Sequence, residues 1–175
     1  IFRPEIPVRE KWTCPGVVST EMRLGIFGGT FNPIHLGHLL LAETARDALK
    51  LDRVLFIPAG RPPHKAAPGL APGRERLRLI QLAIRDHPAF AASEIELQRP
   101  GPSYSVETVR LLRNQLPDAK LFLLIGQDML AVRWVAWSEL KRLCTVAAVR
   151  RPGNRGRHLE RGIEWLAMPK VDIAS

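Results

Sequence analysis

Cysteine is scarce: there are two among 175 residues. Neither Cys14 nor Cys144 has a Cys or His at metal-ligand spacing, so a thiolate metal centre and a disulfide framework are both excluded. The two read as unpaired thiols of a reducing compartment. Aromatic residues make up 6% of the chain, and no basic stretch interleaved with aromatics marks a nucleic-acid-binding surface. No apolar run approaches the roughly 18 residues of a membrane span. The first twenty residues contain no signal-peptide apolar region. The chain therefore reads as soluble and cytoplasmic, without membrane or nucleic acid as partner. Paired acidic residues that could cage a metal are missing, as are internal repeats and low-complexity segments.

Negative charge is also short, with 17 acidic against 26 basic residues and a net charge of +9. Such a balance suits polyanionic partners, either nucleic acid or phosphorylated small molecules. The basic residues form no single run. They fall at Arg74, Arg76, Arg78 and Arg85, at Arg110 and Arg113, and from Arg150 to Arg161, where solvated helix faces account for most of them.

What is present is an ordinary globular composition, 46% hydrophobic and 25% charged, enough for one domain. Residues 1–21, with Pro4, Pro7 and Pro15, show no periodicity and read as a loose arm or extension. Residues 22–175 form the domain, with Met22 as its natural start. Apolar runs at 24–27, 54–58, 121–125 and 145–149 predict buried strands, and 90–97 and 163–168 weaker ones. Leu39, Ala42, Ala45 and Leu49 predict a helix over 37–50, and Leu77, Ile80 and Ile84 one over 73–86. Ser105 is a suitable N-cap for a helix to about Leu116. Strands separated by helices imply βαβ units, hence an α/β, Rossmann-like, doubly wound fold. Its sheet is mostly parallel, with helices on both faces. Ligands bind at the carboxyl ends of such strands, which selects 28–38, 59–65, 126–128 and 150–156.

The most specific segment is Gly28-Gly29-Thr30-Phe31-Asn32-Pro33-Ile34-His35-Leu36-Gly37-His38. Two glycines let the backbone turn tightly and present N–H groups. His35 and His38, three apart at the start of a helix, can share one face. Gly37 leaves room beside the helix start, and the helix N-terminus favours anions. Together these features make a phosphate site.

GGTFNPIHLGH resembles the strand–loop–helix signature of the HxGH nucleotidyltransferases, and the likeness covers roughly Met22 to Ser175. Arg61-Pro62-Pro63-His64-Lys65, Pro102-Ser103-Tyr104-Ser105, Gly126-Gln127-Asp128 and Arg151-Pro152-Gly153 are similar to segments of the bacterial nicotinate-nucleotide adenylyltransferases. The resemblance implies that His35, His38 and Lys65 stabilise charge on the phosphates. It implies ATP contacts at Gly28, Gly29, Thr30, Phe31, Gly37 and His38, with Gly126 and Asp128 at the ribose. Ile173 and Ser175, in a segment similar to the family's second phosphate-binding motif, join them. Thr30, Phe31, Ser103, Tyr104, Ser105 and Trp134 would line the nicotinate mononucleotide pocket. Either Trp134 or Trp137 could stack on the pyridine ring; Trp134 is favoured, because Trp137 fits a core-facing helix.

The implied reaction joins nicotinate mononucleotide to the AMP part of ATP, giving deamido-NAD and pyrophosphate. The attacking phosphate oxygen is already anionic, so no general base is needed. Mg²⁺ would be held mainly through the ATP phosphates, without a dedicated protein site. The same chemistry on nicotinamide mononucleotide or phosphopantetheine stays open, as do a non-catalytic nucleic-acid-binding module, a scaffolding role and a homo-oligomeric state.

Overall fold

Continuous apolar runs become central strands because both of their faces are covered. The structure, a computed structural model, describes residues 22–63, 69–150 and 161–168. Six strands form one sheet: β1 (Arg23–Gly29), β2 (Arg53–Pro58), β3 (Phe90–Ala92), β4 (Lys120–Gly126), β5 (Thr145–Arg150) and β6 (Ile163–Ala167). Their order is β3-β2-β1-β4-β5-β6 and every neighbouring pair is parallel. The order reverses between β1 and β4, where Ile26 lies opposite Leu123. That reversal is the topological switch point at which such sheets bind ligands.

Alternation along the strands builds two cores. Leu24, Ile26, Leu55, Ile57, Leu121, Leu123 and Val146 face one way, under α3 (Ser105–Gln115) and α4 (Trp137–Leu143). Phe27, Val54, Phe56, Phe122, Leu124 and Val149 face the other way, under α1 (Leu36–Ala48) and α2 (Gly73–Ile84). Helices thus cover both faces, as the βαβ pattern predicts. Cys144 is buried in the first core, where desolvation pushes its thiol up to about 12. Among the described residues, no helix is long and apolar enough to cross a membrane.

Three expectations need correction. The strand predicted over 90–97 stops at Ala92, because the chain then turns, with the Leu97 amide donating to the Glu94 carbonyl at 2.8 Å. The N-cap of α3 is Tyr104, and Ser105 is the first helical residue, so its hydroxyl does not cap. Arg76 does not lie on a solvated face: it is 1% exposed, in line with Ile80 and Ile84 on the buried stripe of α2.

Candidate active site

The chain leaves β1 through Gly28 and Gly29 and turns at Phe31, whose φ is 47°. A left-handed backbone at a bulky residue costs about 1–3 kcal/mol. Burial of the ring, about 1.5–3 kcal/mol, offsets it. Phe31 packs at centroid distances of 5.4 Å from Phe27, 6.0 Å from Phe56 and 4.9 Å from His38. A Cβ on Gly29 would lie 3.0 Å from the Phe31 ring, whereas one on Gly28 would meet nothing within 4 Å among the described residues. Gly28 is exposed, so the space beside it is open to a ligand.

The histidines then form one unit. His38 N–H donates to the His35 carbonyl at 2.9 Å, and the His35 N–H donates to His38 Nδ1 at 3.2 Å. With Nδ1 accepting, a neutral His38 carries its proton on Nε2. The rings stack at 3.7 Å between centroids and 29° between planes. Gly37 makes this pairing possible, since a Cβ there would come 3.1 Å from the His35 ring. The room predicted beside Gly37 is therefore taken up by His35. No acidic residue occupies the first turn of α1, so no carboxylate of that turn offsets the positive end of its dipole.

The exit of β2 is held from two sides. Arg76 Nη2 donates to the Ala59 carbonyl at 2.7 Å. Ser103 Oγ accepts from the Gly60 amide at 2.9 Å and the Arg61 amide at 3.2 Å. Ser103 is buried, and Tyr104 and Ser105 are half-buried beside it. Ser103 also bonds Glu96, whose carboxyl burial pushes up against the opposing effects of a Thr108 hydrogen bond, the Arg99 charge and Ser103 itself. Thr108 Oγ1 donates to Glu96 Oε1 at 2.6 Å. Sequence reasoning missed Arg76, Glu96 and Thr108. The available signal was the spacing of Arg76 four and eight residues before Ile80 and Ile84.

After β4, Gly126 caps a 3-10 turn over Gln127–Ala131. Asp128 is exposed, and a Cβ on Gly126 would lie 2.6 Å from its Oδ1. Asp128 thus lies within the first turn after β4, beside the switch point. Trp134 and Trp137 lie 5.2 Å apart between centroids, both half-buried against the α3–α4 core. The Trp134 indole donates to the Met129 carbonyl at 2.8 Å, so its ring is anchored at one edge. His64, Lys65, residues 151–153, Ile173, Ser175 and residues 1–21 lie outside the described residues.

Residues 26–174 match the cytidylyltransferase-like family. A Thermus thermophilus protein named probable nicotinate-nucleotide adenylyltransferase is 44% identical over 156 residues, which are 88% of this chain and 83% of the relative. A Pelobacter propionicus protein of the same name is 46% identical over 136 residues, 77% of this chain. The aligned part is 63% of that relative's length, just under two thirds. Among solved structures, Plasmodium falciparum nicotinic acid mononucleotide adenylyltransferase complexed with NaAD superposes with a TM-score of 0.72 at 12% identity. That likeness covers 86% of this chain and 77% of the other, and it supports the shared fold. The extent of the family match and the identity to the Thermus protein place this chain in the cytidylyltransferase-like family, among the nicotinate-nucleotide adenylyltransferases.

Proposed function

We propose that this chain transfers AMP from ATP to nicotinate mononucleotide, releasing pyrophosphate. The observation that carries the reading is the stacked His35–His38 pair at the N-terminus of α1, beside the open edge of Gly28. A phosphate oxygen of the mononucleotide forms a bond to the α-phosphorus of ATP as the bond to the bridging oxygen breaks. That oxygen leaves with pyrophosphate, and no proton transfer is required. The residues then have two tasks, positioning and stabilising charge, as is usual in phosphoryl-type transfer. His38 Nε2 and the dipole of α1 act on the phosphates. Asp128 would accept from ribose hydroxyls, and Trp134 would offer a ring face to the pyridine. Lys65, Ile173 and Ser175 would add contacts to the phosphates and adenosine.

Among the described residues, no group of three or more His, Cys, Asp or Glu side chains is placed to hold a metal. An ion held mainly through the nucleotide phosphates and water would need no dedicated protein cage. Mg²⁺ bound to ATP would neutralise charge on the departing pyrophosphate.

The test is pyrophosphate release from Mg-ATP with nicotinate mononucleotide, nicotinamide mononucleotide or phosphopantetheine offered separately. Release with the first alone supports the reading. Release with another acceptor replaces the substrate and keeps the chemistry, whereas none with any acceptor favours a binding or scaffolding role. His38→Ala should lower kcat about 100-fold, as for other lost donors to developing charge. Its stability should fall by about 1 kcal/mol, the usual worth of a cap. A parallel loss of folding would make His38 structural.

A further inference from the structure

Arg76 is a buried cation whose bonded partners among the described residues are all neutral. Nε donates to the Ala71 carbonyl at 2.9 Å, Nη1 to the Thr30 carbonyl at 2.6 Å and Nη2 to the Ala59 carbonyl at 2.7 Å. Those carbonyls belong to three segments: the glycine loop after β1, the exit of β2 and the approach to α2. A planar guanidinium fork can serve three acceptors at once, which an ammonium cannot do with the same geometry.

The three contacts differ in what else supports them. Ala59 is also tied to the glycine loop through its own amide, which donates to the Gly29 carbonyl at 2.8 Å. The Ala71 amide donates to Asn32 Oδ1 at 3.1 Å. The Thr30 carbonyl has no hydrogen-bond partner besides Arg76 among the described residues. In a trans peptide the carbonyl and the following N–H point in opposite directions. Pinning the Thr30 oxygen against the buried guanidinium therefore turns the Phe31 amide away from the interior. Among the described residues that amide has no acceptor. A committed donor direction with nothing to receive it, beside the open side of Gly28, suits a phosphate oxygen.

We propose that Arg76 is a positioning residue for nucleotidyl transfer, holding the Thr30 carbonyl from behind so that the Phe31 amide faces the substrate phosphates. The assignment rests on the reaction proposed above. The guanidinium touches no substrate, and its effect passes through the backbone.

The experiment compares Arg76→Met and Arg76→Lys with the unaltered chain. Each is assayed for kcat and KM at a temperature where circular dichroism shows it folded. Arg76→Met should lose about 100-fold in kcat, the effect of one misdirected donor, with KM for the mononucleotide within a few-fold. Arg76→Lys should regain thermal stability and recover only part of kcat. Activity that falls only in proportion to the folded fraction would overturn the proposal, because a merely structural role predicts that result. Should Arg76→Met not fold, Arg76→Lys decides alone: unchanged kcat overturns the assignment, and a tenfold or greater loss in the folded protein upholds it. If the unaltered chain turns over no acceptor, the proposed reaction fails and inorganic tripolyphosphate becomes the probe. Calorimetry should then show binding weakened roughly tenfold in Arg76→Met, the worth of one charge-assisted hydrogen bond. Equal binding would sink the role of Arg76.

Discussion

Two buried polar centres hold the exit of β2 from opposite sides, and they handle charge in opposite ways. Arg76, 1% exposed, grips the Ala59 carbonyl. Glu96, 5% exposed, acts through Ser103 on the amides of Gly60 and Arg61. A guanidinium cannot discharge, so Arg76 remains a cation at every accessible pH. A carboxyl can take up a proton, and burial drives Glu96 in that direction. Glu96 is also met by the hydroxyl of Thr108 and the charge of Arg99, which in turn pairs with Glu107 at 3.2 Å. The permanent charge lies behind the loop proposed to meet phosphates, where a positive field is useful. The dischargeable one lies behind Ser103, whose hydroxyl holds the Gly60 and Arg61 amides.

The contrast can be broken first at Gly60. A Cβ there would lie 2.3 Å from the Glu96 carbonyl oxygen, backbone against backbone. Gly60→Ala should cost about 3 kcal/mol, the upper part of the range for overpacking, read by urea denaturation. Unchanged stability would mean that the β2 exit is not clamped to the Glu96 turn. Ser103→Ala comes next. It strips the acceptor from two amides and a partner from Glu96, at about 2 kcal/mol. Intact stability with a raised KM for the mononucleotide would move Ser103 from the scaffold into the acceptor pocket. Thr108→Val removes one hydroxyl from Glu96 and should cost about 1 kcal/mol, with kcat unaltered.

The same contrast shows where sequence was informative. The central strands were legible because a strand covered on both faces has to be apolar throughout, as in Leu121 to Ile125. The turn after β1 and the histidine pair at the start of α1 were legible because glycines and histidines at that spacing suit few other local structures. Arg76 was not, because a cation in a helix reads as solvent-facing unless its place on the apolar stripe is weighed above its charge. Glu96, Ser103 and Thr108 come from three separate segments, and only the fold shows that they meet. The cap of α3 was misplaced by one residue because Tyr104 leads the helix without a side-chain bond. The Trp134 anchor to Met129 depends on a turn that no periodicity announces.

The smallest expected effect sharpens the comparison most. Burial raises the Glu96 carboxyl above its ordinary value of 4.5, so the folded chain binds that proton more tightly than the unfolded one. Its contribution to stability is complete below pH 4.5 and declines as pH rises through the folded-state value. Above that value the contribution is gone and the profile is flat. One proton allows a slope of at most about 1.4 kcal/mol per pH unit. Glu96→Gln can still accept from Thr108 but cannot titrate, so its stability should lack this decline. The difference between the two proteins should therefore shift toward the variant as pH rises from 4.5. Arg76→Met offers no such window, because neither a guanidinium nor a thioether titrates across it. Parallel urea titrations from pH 4 to 8 of the three proteins test this directly. A decline that survives in Glu96→Gln would assign it to other carboxyls, and the two buried centres would no longer differ in how they carry charge.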